Sequence, residues 1–182
     1  MLRCGEVCGT HIISSMHSRS ENLLGALATG CFDLQGGAMT RAVGLDRSEL
    51  EVLLAIYTRP GSTVGDVAPV AALSHSGAVR AVDRLAGSRY VERQVGVDKR
   101  TVTLLCTRKG SIASRAALSA RASALKDLLS SLDPRAQSAM AGICERLLAA
   151  MPRERTDAHR ICRFCEHAMC RDQDCPVGSA VK

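Results

Sequence analysis

The sequence predicts a mainly α-helical fold carrying one small β-hairpin, and three observations predict it. Aromatic residues make up only 2% of the 182-residue chain and Trp is absent. The core must therefore be built from Leu, Val, Ile, Met and Ala, which favours helices. Apolar residues also recur at helical spacing over most of the chain. The exception follows Arg89, where the period becomes alternating: Val102, Leu104 and Cys106 point one way, Thr101, Thr103 and Leu105 the other. Tyr90 to Val95 reads as the preceding strand, with Gly96, Val97, Asp98, Lys99 and Arg100 as a charged tip between the two. Upstream, Ser74 caps a helical pattern that places Ala78, Val79, Val82, Leu85 and Ala86 on one side. A helix with a basic outer face, followed by a hairpin with a basic tip, is a winged helix-turn-helix.

The remaining elements follow in order. Met16, Leu23, Leu24, Leu27, Cys31 and Leu34 lie at helical spacing in a first segment that ends near Gly37. Cys4 and Cys8 precede it in a Gly-rich lead and read first as exposed tail thiols, with a metal or redox pair as the alternative. Asp46 with Glu49 three residues on is a capping-box spacing, and Leu50, Leu53, Leu54 and Tyr57 form the buried stripe behind it. Pro60-Gly61 ends that helix. Thr63 with Asp66 starts the next, so Val64 to Leu73 is the positioning helix, with Pro69 expected to remove a hydrogen bond and kink it. After the hairpin, Ile112, Ala113, Ala116, Ala117, Ala120, Leu125, Leu128, Leu129 and Leu132 trace a long helix. Asp133-Pro134 caps and opens a final one through Ala136, Met140, Ile143, Cys144, Leu147, Leu148 and Met151, closed by Pro152.

A formal net charge of +6 is consistent with a polyanionic partner. No apolar run approaches the length of a membrane span, and the first twenty residues lack a signal-peptide core. The expected location is the cytoplasm, where nine cysteines argue for thiols or metal ligands over structural disulfides.

The chain resembles the MarR family of bacterial transcriptional regulators. The residues that carry the resemblance are Ser74-x-Ser76-x-x-Val79-x-x-Val82-Asp83-x-Leu85, Val91-Glu92-Arg93, Asp98-x-Arg100 and Thr107-x-Lys109-Gly110. It covers residues 45 to 112 well and the flanking helices by pattern. Ala72 at the turn and Arg89 at the helix exit depart from it, because glycine is usual at both. The resemblance implies a homodimer formed through N- and C-terminal helices, reading double-stranded DNA, most often as a repressor, with a small-molecule effector as a further possible partner. The segments are then 1–45, an N-terminal lead and dimerisation helix; 46–110, the winged helix; 111–152, C-terminal dimerisation helices; and 153–182, a Cys-rich metal-binding tail.

The candidate DNA contacts follow from chemistry. Ser74, Ser76 and the N–H groups near His75 and Gly77 suit phosphates, while Arg80 and Arg84, four apart on one face, suit guanine edges or backbone. Arg100 suits minor-groove insertion, with Asp98 orienting it, and Lys99 and Arg93 suit phosphates. Asp83, badly placed against a polyanion, is expected to pair internally with an arginine.

The tail is the second candidate site. Cys162-x2-Cys165-x4-Cys170-x4-Cys175 sets four thiols within a short stretch outside the helical pattern, a spacing suited to a tetrahedral metal. Zinc is the first reading, an iron–sulfur cluster the second and a tail of uncoordinated thiols the third. His159 and His167 read as solvated tail histidines. The chain shows no glycine-rich phosphate loop, HExxH or nucleophile elbow, so it is not expected to be an enzyme. The alternative is a thiol–disulfide redox protein or a metal-dependent protein-interaction protein using the tail.

Overall fold

Most helices in the computed structural model, which describes residues 18–95, 101–165 and 175–181, begin where a short side chain caps them, the one after Glu154 being an exception. The helices are α1 (Arg19–Val43), α2 (Arg47–Thr58), α3 (Val64–Val70), α4 (His75–Gly87), α5 (Arg108–Leu129), α6 (Pro134–Ala149), α7 (Arg155–Ile161) and α8 (Pro176–Ala180). Strands β1 (Val91–Val95) and β2 (Val102–Cys106) pair antiparallel, with Val91 opposite Cys106 and Val95 opposite Val102. Asp46 and Thr63 complete capping boxes with Glu49 and Asp66, and Ser74, Thr107 and Asp133 accept from the third backbone N–H of their helices. No helix among the described residues is long and apolar enough to cross a membrane.

The chain divides into two compact units, Met1–Asp33 and Leu34–Lys182. In the first, the described part is the opening stretch of α1, where Leu23, Leu24, Leu27 and Phe32 are exposed. The second holds two apolar clusters. One joins Val52, Leu53 and Ile56 of α2 to Val67 and Val70 of α3, Ala81, Val82 and Leu85 of α4, and Val91 and Leu104 of the hairpin. This is the core of the winged helix, and β2 is tied to it by a bridge between Ser62 and Leu104. The other cluster gathers Met39, Leu50, Leu54, Ala117 and Phe164. In contrast, α6 buries none of its residues, and Ile143 and Leu147 stand in the open.

Three boundaries differ from the sequence reading. Helix α1 continues through Gly36-Gly37 to Val43 and stops before Gly44, whose φ of +67° is a left-handed exit that suits glycine. Each helical glycine costs about 1 kcal/mol in propensity, but Gly36 is buried where a Cβ would meet the Arg47 guanidinium. Helix α3 ends at Val70 rather than Leu73. Pro69 sits in its last turn, and Ala72 turns the chain at φ +53°, so the helix terminates instead of kinking. Arg89 likewise leaves α4 at φ +60°. Both positions with glycine-like geometry therefore carry side chains, as the departures from the family pattern anticipate. The third difference is the tail, which forms two short helices and buries Ala158, Phe164 and Val177.

Carboxylate caps make part of this architecture pH-sensitive. Hydrogen bonds from the Thr63 backbone N–H and hydroxyl hold the Asp66 carboxyl below its ordinary value of 3.8. A carboxyl depressed in the fold stabilises it above the unfolded value, and that contribution disappears as pH falls through the folded value. Asp66→Asn should therefore melt below wild type at pH 6, with the gap closing as pH drops below 3.8. Thermal melts between pH 6 and 2.5 check this; a constant gap contradicts it.

Candidate nucleic-acid interface

The recognition helix α4 is fixed from both sides before any of its residues face outward. Its inner face, Ala78, Ala81, Val82 and Leu85, is fully buried. At its start the Ser74 hydroxyl accepts from the Gly77 N–H at 3.1 Å and lies 3.3 Å from the Ser76 hydroxyl. Ser74 is thus occupied with capping, while His75 and Ser76 are exposed on the first turn. Gly77 is half-buried, and a Cβ there would sit 3.1 Å from the Ser74 oxygen.

The predicted arginines separate into two roles. Arg80 is exposed and makes no ion pair among the described residues. Arg84, by contrast, donates to Glu49 at 2.8 Å and to Asp46 at 3.0 Å, so its guanidinium fastens α4 to the start of α2. The hydrogen bond to Glu49 leads the contacts that raise its pKa above the ordinary value. Burial alone would raise the Asp46 carboxyl, but N–H groups of Glu49 and Ser48, the Ser48 hydroxyl and Arg84 hold it low. Arg93 donates to Asp83 at 2.6 Å, which ties β1 to the recognition helix. Asp83 thus pairs internally, as expected, and Arg93 is the partner that also reads as a phosphate contact. Asp98, Lys99 and Arg100 lie outside the described residues.

A second set of contacts fixes the wing. The Thr107 N–H donates to the Tyr90 carbonyl at 3.0 Å, its hydroxyl to the Arg89 carbonyl at 2.7 Å, and Lys109 Nζ to the Ser88 carbonyl at 2.9 Å. Lys109 also lies 4.0 Å from the centre of the Tyr90 ring. These bonds explain the spacing Thr107-x-Lys109-Gly110: it staples the start of α5 to the exit of α4.

At the other candidate site, the turn after α7 brings Cys162 and Cys165 together, with the Cys165 N–H donating to the Cys162 carbonyl at 2.9 Å. Burial first, then the neighbouring Cys165 and Cys175 thiols, push the Cys162 thiol up to about 12. Any cation must displace that proton to bind. Among the described residues no group of three His, Cys, Asp or Glu forms a finished metal site, and Cys170 lies outside them, as do Cys4, Cys8 and His167. The described thiols supply only part of a tetrahedral donor set. The pair follows the C-terminal end of α7, where the dipole disfavours a thiolate, so it lacks the activation a thiol–disulfide enzyme needs. Burial also pushes Cys106 up to about 11, fitting an inert core thiol, whereas Cys144 is exposed.

Sequence reasoning misses the tail's docking. Arg163 donates to both oxygens of Glu51, at 2.6 and 3.3 Å, with Glu51 buried on α2. His159, read from sequence as solvated, is half-buried and accepts from Arg59 through Nδ1. The only signal was Glu51 itself, a carboxylate inside the apolar run Leu50–Leu54.

A positioning helix, a second helix capped by Ser74 and a stapled hairpin define a winged helix-turn-helix fold. Residues 43–101 match the profile of the MarR family. The fold of the chain is similar to that of MepR, a transcription regulator of the Staphylococcus aureus multidrug efflux pump MepA: 15% identity, TM-score 0.65, covering 75% of this chain and 100% of that one. YusO from Bacillus subtilis is similar at 21% identity and TM-score 0.60, covering 74% and 99%. A MarR-family transcriptional regulator from Silicibacter pomeroyi is similar at 18% identity and TM-score 0.58, covering 73% and 92%. No curated protein matches the sequence.

Proposed function

We propose that this chain is a sequence-specific, DNA-binding transcriptional regulator that acts in the cytoplasm, as a repressor, on a pseudo-palindromic operator. The observation that supports it best is Arg80, exposed on a helix whose opposite face is buried and whose C-terminal half is clamped by Arg84 and by Asp83–Arg93. Such a fixed helix presents a guanidinium to a major groove with its backbone already ordered, leaving the side chain's own rotamers to be fixed on binding. The working unit in this reading is a homodimer. Exposed Leu23, Leu24 and Leu27 on α1, and Ile143 and Leu147 on the unburied α6, are apolar faces that a second copy would cover. A small-molecule effector would fit a cavity of about 620 Å³ lined by Tyr57, Thr58, Arg115, Leu118, Phe164 and Cys165.

The test is fluorescence anisotropy on a DNA sequence selected by the wild-type protein. Arg80→Ala should cost about 1–3 kcal/mol of specific affinity with helix content unchanged, and should relax discrimination at one position of each half-site. Equal affinity and equal specificity for wild type and Arg80→Ala would remove the recognition helix from the interface.

A second reading concerns the tail. Here Cys162, Cys165, Cys170 and Cys175 hold one metal ion, zinc by preference and an iron–sulfur cluster as the rival. What supports it is the four-thiol spacing. Elemental analysis of anaerobically purified protein distinguishes the outcomes: one zinc per chain, iron with sulfide, or neither.

A further inference from the structure

Where α7 packs on the positioning helix, two arginines meet that no described carboxylate pairs. The seam between α3 and α7 opens into a cavity of about 280 Å³. Arg59, the C-cap of α2, lines it together with Asp66 of α3 and with Arg155, Thr156 and His159 of α7. The cavity is smaller than the roughly 300–1,000 Å³ of pockets for drug-sized ligands, and it suits a small ion.

Its donors exceed its acceptors. The Arg59 guanidinium donates to His159 Nδ1 and, at 3.4 Å, to the Asp66 carbonyl. Both acceptors are uncharged, since an imidazole that accepts at Nδ1 is neutral, and the guanidinium carries more N–H donors than these contacts use. The Asp66 carboxylate is turned to Thr63, accepting from its N–H at 2.8 Å and its hydroxyl at 2.7 Å. Arg155 is exposed and, among the described residues, makes neither an ion pair nor a side-chain hydrogen bond. Its acidic neighbour Asp157 is engaged instead with Arg160 at 3.5 Å and with the Arg153 N–H at 3.1 Å. The Thr156 hydroxyl likewise has no partner among the described residues. Two guanidinium cations against one carboxylate leave the cavity with a net positive charge.

We propose that this cavity binds a single phosphate-type oxyanion, held by Arg59, Arg155 and the Thr156 hydroxyl. Donors arriving from two separate segments suit an acceptor whose oxygens point in several directions, whereas a flat carboxylate reaches fewer of them. The anion screens Arg59 from Arg155 and ties the tail to the positioning helix, from which only residues 71–74 lead to α4. A DNA backbone phosphodiester and free phosphate offer the same chemistry. The site does not depend on the chain's reading DNA.

The full chain is titrated with inorganic phosphate at constant ionic strength, with acetate as the control anion, and followed by backbone amide chemical shifts. Phosphate should produce saturable shifts at Gly65, Asp66, Arg155 and Thr156. Arg155→Ala removes an exposed side chain without an ion pair, so it should keep the fold yet weaken phosphate about tenfold or more, the loss expected for one charge-assisted hydrogen bond. Shifts that do not saturate, an equal response to acetate, or unchanged phosphate affinity in Arg155→Ala would overturn the site. Salt dependence of binding to DNA selected by the wild type then separates the two sources. If the site takes a backbone phosphodiester, Arg155→Ala should reduce the slope of log affinity against log salt by about 1. An unchanged slope, with phosphate bound, assigns the site to free phosphate. Saturable phosphate binding by a chain that retains no DNA would uphold the site and remove only the regulator reading.

Discussion

Gly110→Ala should destabilise the protein by about 3 kcal/mol or more, the upper end of what overpacking a fixed site costs. A Cβ at this position would lie 2.0 Å from the Tyr90 carbonyl oxygen and 3.0 Å from its carbon. Both are backbone atoms, so no rotamer change relieves the clash. The backbone cannot retreat cheaply either, because the same Tyr90 carbonyl accepts the Thr107 N–H, and Thr107 caps α5 through the Gly110 N–H at 3.1 Å. The first turn of α5 must therefore lift from the exit of α4, which loosens the hairpin as well. For a chain of this size the melting temperature should fall by roughly 6–12 °C. A drop under about 2 °C would mean that the staple yields without cost.

Arg163→Ala should cost about 3–5 kcal/mol, the range for breaking one side of a buried ion pair. Glu51 is only 7% exposed, and without Arg163 its nearest remaining cation is Arg47, 3.8 Å away. The carboxylate would then be buried with a weak partner, and the cation over the Phe164 ring would be gone. The double replacement Glu51→Leu/Arg163→Leu removes the stranded charge along with the pair. It should recover most of the loss, because a well-packed apolar pair often equals a buried salt bridge. Denaturant titration of the single and double variants checks this. A double variant as unstable as Arg163→Ala would mean that the contact acts through the shape of the arginine and not its charge.

The parts of the fold legible in the sequence are those decided within about four residues. Asp46 with Glu49, Thr63 with Asp66, Ser74, and Asp133 before Pro134 each mark a helix start that the structure places at the same residue. The switch of period after Arg89 gave the hairpin for the same reason, since burial on one face of a strand is written in alternation. Contacts between distant residues were not legible. Arg84 reads as a DNA-facing arginine by its spacing from Arg80, but its partners Asp46 and Glu49 come from another helix. Glu51 and Arg163 stand 112 residues apart. The tail's own sequence does not show that Phe164 is buried against residues of α1, α2 and α5.

The division of labour among the basic residues follows from these contacts. Arg84 and Arg93 hold α4 in place through carboxylates on α2 and on α4 itself, and a replacement there would blur the helix's position rather than delete a contact. Among the described arginines read as DNA contacts, Arg80, Arg84 and Arg93, it is Arg80 that is exposed and makes no ion pair with a described residue.

Sequencing the DNA retained by the purified full chain from a random pool tests the central claim most directly. A dimeric winged-helix regulator should enrich a pseudo-palindrome whose half-site centres lie roughly 10–10.5 bp apart, bound by two 19.3 kDa chains. A pool that stays random after successive rounds, or an enriched site without two-fold repeat bound by one chain, would contradict it.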